Sequence, residues 1–222
     1  MKIFDKDISD KAALIICDII EKSKRKIIFK ENTGGKCFVD VNDPKIYTIE
    51  ISLKFAGAFF EVCILHELLH TVQIDEGFPV IYFDDEDERI DTGIRFIINK
   101  LDSLVKDIFV NRDLLSLGFE MITTPVKSFE RWYNNLVSQN EKTVHSKNCM
   151  VMCLIANKYV YNVSVEELEK SMTDDSVKNI YECISKVIEE NIENSYYSMK
   201  NIYDIFFEMF QYPETIYANY EG

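Results

Sequence analysis

From Ser52 to Ile74 the chain carries apolar side chains on nearly every side of a helix: Phe55, Phe59, Val62, Cys63, Ile64, Leu65, Leu68, Leu69 and Val72. A helix that is apolar all round has no face for water, so other elements must cover it. Ser52 is placed to cap its start, and Gly77 followed by Pro79 is a stop signal. Inside this stretch, Cys63 to Gln73 reads CILHELLHTVQ. Two of the three histidines in the chain sit here, four residues apart, with Glu67 directly after the first. Imidazoles and a carboxylate placed in a buried helix need polar partners, because burying them without partners is costly.

The surrounding pattern says what could cover such a helix. Residues 9–26 form an amphipathic helix, with Ser9 or Asp10 as N-cap and Ala13, Ile16, Cys17 and Ile20 at helical spacing. The next stretch, to about Ser52, is rich in β-branched and aromatic residues. Asn32 to Gly35 and Asn42-Asp43-Pro44 mark its turns, and Tyr47 to Ile51 alternates apolar with polar, so a meander of about three strands is expected. After the central helix comes the acidic run DDEDERID, read as a loop or helix start, and then a helix from about Ile90 to Leu117 closed by Gly118. Beyond Thr123-Thr124-Pro125 the pattern is almost wholly helical, over about 127–139, 145–161, 165–172, 175–190 and 196–210. Helix, short sheet, buried helix and a helical remainder define an α+β arrangement. Residues 1–125 are expected to form the core and 126–222 a helical region packed on it.

HELLH matches the pattern H-E-x-x-H. Positions i and i+4 share a helix face, so His66 and His70 can reach one metal ion, and Glu67 projects close enough to act on a water beside it. Neutral imidazole suits Zn2+, and three protein ligands leave a fourth position open. The plainer alternative is a pair of core histidines bonded to carbonyls or water.

On these residues the chain resembles the zincin metallopeptidases. His66, Glu67 and His70 match their shared motif, and the preceding strands are similar to the small sheet that flanks the motif helix in that fold. The resemblance spans about residues 27–119. It implies a zincin-like fold, a small sheet beside a buried HExxH helix, with a zinc site. DIFVNRDLLSLGFE, residues 107–120, is also similar to a segment that follows the motif in small bacterial HExxH proteins.

Zincins often take their third ligand from an acidic residue on the next long helix. Asp91, Asp102 and Asp107 are the candidates here. Asp107 is favoured because Leu104, Val105, Ile108, Phe109 and Val110 surround it, and a carboxylate in such a setting must find a partner. Asn111 follows four residues later and could orient a histidine. The glutamate zincins carry a comparable pair, and this chain departs from them with Asp for Glu and Asn for Asp. Asp91 lies nearer His70 in sequence, among polar neighbours. His145 reads as a surface residue at a helix start, the alternative being a group folded over the site. Arg112 is a further candidate helper.

A catalytic site of this kind would hydrolyse peptide bonds in a peptide or protein substrate, with Glu67 as general base. The alternative is a binding or regulatory protein that keeps the fold without turnover and acts through its helical C-terminal half. There the apolar face of NIYDIFFEMFQYPETIYANY could pack on the core or on a partner. A formal net charge of −13 argues against binding a phosphate backbone. The cluster Lys22, Lys24, Arg25 and Lys26 is read as cations gathered at the end of the first helix. The six cysteines include no CxxC pair and are expected as reduced thiols. The chain shows no secretory signal and no span-length apolar run, so no membrane association and a cytoplasmic location are expected.

Overall fold

A computed structural model of the chain describes residues 1–84, 86–120, 144–162, 164–172, 174–191 and 195–219. It is an α+β protein that divides into two compact units. The first contains Met1–Phe78 and the chain from Val110 onward to the end of the third helix. The second contains Pro79–Phe109 and the described residues from Val144. The helix expected at 127–139 lies outside the described residues.

In the first unit, β1 (Lys2–Ile3) and β2 (Lys6–Asp7) pair as a short hairpin ahead of α1 (Asp10–Lys22). The Ser9 hydroxyl oxygen accepts from Ala12 N–H, which caps α1. Ser9 in turn donates its backbone N–H and its hydroxyl to the Glu61 carboxylate at 2.7 and 2.8 Å. Ala12, Ile16 and Ile19 line the buried stripe. The helix stops at Lys22, not at Lys26, so only one of the four clustered cations belongs to its last turn. Lys24 bonds instead to the Asp75 carbonyl, Arg25 lies over the Tyr47 ring and Lys26 opens the next strand.

That strand is β3 (Lys26–Asn32), followed by β4 (Phe38–Asp40) and β5 (Ile46–Ser52). They do not form a meander. β5 lies in the middle, parallel to β3 and antiparallel to β4. The reason is burial: Tyr47, Ile49 and Ile51 are all inaccessible to solvent, so the most apolar strand takes the centre and its half-exposed neighbours take the edges.

The central helix, α2, is Gly57–Asp75. Ser52 is not its cap. Ser52 is still in register with Asn32 in the sheet, and the helix begins only at Gly57. The stop was read correctly. Gly77 adopts φ 74°, Phe78 N–H reaches Gln73 C=O and Gly77 N–H reaches Ile74 C=O, the two bonds of a Schellman motif. Asp75 then ties the helix end to the sheet side. It accepts from Ser23 Oγ at 3.1 Å, Lys24 N–H at 2.9 Å and the buried Tyr47 hydroxyl at 2.7 Å. As the sequence requires, α2 is covered on almost all sides, with Val62 to Leu69 buried without a break. Its apolar partners include Ile16, Ile49, Ile51, Val110 and Leu114.

In the second unit, β6 (Val80–Phe83) pairs antiparallel with β7 (Ile216–Asn219). The C-terminal stretch is therefore not wholly helical: Ile216 and Ala218 are buried while Tyr217 and Asn219 face out, the alternation of a strand. α3 is Thr92–Ser116, one unbroken helix that belongs to this unit up to Phe109 and to the first unit from Val110. α4 (Val144–Ile155) continues as a π-helical turn, Ala156–Val160. α5 (Glu166–Ser171), α6 (Asp175–Asn191) and α7 (Ser195–Met209) follow, with α6 packed on both α4 and α7. Ile202, Tyr203, Phe206, Phe207 and Phe210 are buried, so the apolar face of α7 is spent inside the unit. Among the described residues no helix is long and apolar enough to cross a membrane.

Candidate metal centre

α2 places His66, Glu67 and His70 in its middle, where the helix is most deeply covered. His66 and Glu67 are each 8% exposed and His70 is half-buried. The i,i+4 spacing brings the two imidazoles edge to face, with ring centroids 4.8 Å apart at 84°. Their Nε2 atoms lie 3.1 Å from each other. The other nitrogen of His70, Nδ1, donates to Gln73 Oε1 at 3.1 Å, and Gln73 is itself buried. That bond puts the His70 proton on Nδ1 and leaves the Nε2 lone pair pointing at His66. Gln73 was not singled out from the sequence. Its position three residues after His70, on the same helix face, was the available signal.

His66 and His70 belong to the first unit, and Asp107, the favoured third ligand, belongs to the second. Asp107 lies in α3, less than one turn before Val110, and Val110 and Leu114 are in the same apolar core as Leu65 and Leu68. Asn111, one turn beyond Asp107, is 3% exposed.

The other carboxylates considered are engaged elsewhere. Asp91 caps α3, accepting from Ile94 N–H at 2.8 Å. Asp102 accepts from the Tyr203 hydroxyl at 2.8 Å and pairs with Lys106. Arg112 forms an ion pair with its neighbour Asp113 at 2.7 Å. His145 falls in the first turn of α4.

Cys63 lies one turn ahead of Glu67 on α2, and Cys37, which precedes β4, accepts from Ser52 N–H at 3.4 Å. The neighbouring Cys63 thiol holds the Cys37 thiol below its ordinary range, while Cys37 and burial push Cys63 up. The charges of Glu67 and His66 also act on Cys37, in opposite directions.

The two imidazoles fit a shared metal ion. Two nitrogens bound at 2.0–2.1 Å with tetrahedral geometry sit about 3.3 Å apart, close to the 3.1 Å between the two imidazoles. Comparison with protein families, with curated proteins and with solved structures finds no match to this chain.

Proposed function

We propose that this chain is a zinc-dependent metallohydrolase of zincin type that cleaves peptide bonds. His66, His70 and Asp107 hold the metal, and Glu67 is the general base. The observation that carries the reading is the convergence of two imidazole Nε2 atoms to 3.1 Å in a buried helix, with a glutamate directly after the first histidine.

Zinc in such a site supplies Lewis acidity, acidifying a water and polarising a carbonyl oxygen. The chain's own residues do the rest. Gln73 fixes the ring of His70 and its tautomer. Glu67, buried and beside His66, takes a proton from the attacking water and returns it to the departing amine. Glu67 is buried on α2, which limits the water around its carboxylate.

The test combines metal content with hydrolysis of unfolded casein. One zinc per chain is expected, lost in His66→Ala and in His70→Ala. Glu67→Gln should keep the zinc and lose hydrolysis, since an amide cannot act as the base. Full zinc in either histidine variant rejects the metal site; unchanged turnover in Glu67→Gln rejects the role of Glu67.

A further inference from the structure

The second unit holds a pocket of about 430 Å3, lined by α3 and by α4 with its π-helical turn. Every lining residue falls within Pro79–Phe109 or after Thr123, so the pocket belongs to this unit alone. Its size and apolar walls, formed by Ile97, Leu104, Met152, Ala156 and Val160, are those of a small-molecule site. Cys149 and Cys153 also line it. Burial pushes both thiols up, so they stay neutral and act as small apolar groups. The wall includes Ala156 and Val160, the two ends of the π turn, and such turns are frequent at functional sites.

Two lining residues carry charge, Lys100 and Asp107. Asp107 already interacts with another group. Lys100 differs from most lysines of its unit. Lys106, Lys147, Lys158, Lys178, Lys186 and Lys200 each pair with a carboxylate. Lys100 pairs with none among the described residues. Its ammonium lies 5.7 Å from the ring centroid of Phe96, which is 57% exposed. An apolar pocket with a cation at one end is complementary to an anion with an apolar tail.

We propose that this pocket binds a medium-chain aliphatic carboxylate, with the carboxylate at Lys100 and the tail among the apolar residues of α3 and α4. Asp107 sets the direction. It stands seven residues from Lys100 on α3, about 10 Å along the axis at 1.5 Å per residue. That exceeds the roughly 8 Å over which charges act at physiological salt. A head group at Lys100 is therefore clear of Asp107, and a tail of medium length stops short of it. The reverse pose sets carboxylate against carboxylate. A cationic amphiphile would meet at Asp107 a group already engaged. The site stands apart from the zinc reading, since it uses neither histidine and can be measured on the zinc-free chain.

The test titrates the full, reduced, zinc-free chain with decanoate by calorimetry, below the concentration at which decanoate forms micelles. The methyl groups of isotope-labelled methionine are followed by NMR in parallel. One decanoate should bind per chain and move the Met152 methyl signal, which is identified by its loss in Met152→Leu. Decanol should bind more weakly, and decylamine should not compete. Lys100→Glu, at an exposed position, should weaken decanoate about tenfold or more, because a charge-assisted contact becomes a repulsion. It should leave decanol unchanged. Lys170→Glu, at another exposed lysine of the same unit, should leave decanoate binding as it was. The proposal is overturned if decylamine binds as well as decanoate, if the Met152 signal stays in place at saturation, or if Lys100→Glu keeps the wild-type affinity. It is also overturned if the chain binds no decanoate, whether it stays monomeric or self-associates in a way that Phe96→Glu abolishes in sedimentation. Wild type with the three ligands already decides between these outcomes, so a variant that fails to fold does not shield the proposal.

Discussion

Asp91, which caps α3, and Asp102 and Asp107 within it can be separated by replacing each with alanine and measuring zinc affinity and stability together. As isolated sequence positions, Asp91 and Asp102 read as solvated helix residues of little energetic weight; the structure gives each a defined task. Asp91 caps α3 with a 2.8 Å bond to Ile94 N–H, and loss of such a cap costs about 1 kcal/mol. Asp102 receives the hydroxyl of Tyr203, which is inaccessible to solvent. Alanine there strands a buried donor, at a cost of about 1–3 kcal/mol. Both variants should lower the denaturation midpoint and leave zinc affinity within a factor of two or so of wild type, since each carboxylate is already engaged within its own unit. Asp107→Ala should do the reverse in emphasis. Losing one of three ligands should weaken zinc by more than the ~10–100-fold typical of an outer hydrogen-bond partner. Competition with a chromophoric chelator gives the affinity, and urea titration of the metal-free chain gives the stability. Zinc binding by Asp107→Ala within threefold of wild type, or a zinc defect confined to Asp102→Ala, refutes the assignment.

Other outcomes follow from single bonds. Gln73→Leu removes the acceptor that orients His70, so zinc should bind about 10–100-fold more weakly while the circular dichroism spectrum is kept. Asp75→Ala removes three bonds, one from the buried Tyr47 hydroxyl, and should destabilise the chain by roughly 2–4 kcal/mol, read from the urea midpoint. Burial pushes the Tyr212 phenol up to about 12. The unfolded chain ionises near pH 10, so Tyr212 contributes its full share of stability below pH 10 and loses it between pH 10 and 12. Urea titrations across that window should show a shallower alkaline loss in Tyr212→Phe than in wild type.

What could be read from the sequence, and what could not, divides along the range of the interactions involved. The burial of α2 was legible because an apolar helix surface admits one solution, and the Gly77 stop because only a few residues make it. The facing of His66 and His70 followed from helical spacing alone. Ser52 misled because a serine before an apolar run looks the same whether it caps a helix or ends a strand; its pairing with Asn32, across twenty residues, decided the matter. The parallel pairing of β3 with β5, and the antiparallel pairing of β6 with β7 across more than a hundred residues, left no local mark either.

The same distinction governs the polar residues. Local rules place the Asp91 cap, yet its neighbours first suggested a mere charged surface. No local rule reveals that Asp102 meets Tyr203, because the partner lies 101 residues away. Asp107 stood out only through the apolar residues on either side of it. That is an argument about where a carboxylate cannot remain alone, not about what it meets. Asp107 shares one unbroken helix with Val110 and Leu114, which enter the core beside α2. A substitution that disturbs that anchorage, such as Leu114→Ala, should therefore weaken zinc binding without touching a ligand. Its stability cost should be that of a cavity, about 2–5 kcal/mol. Zinc affinity equal to wild type in the folded Leu114→Ala chain would show that the helix does not hold Asp107 in place.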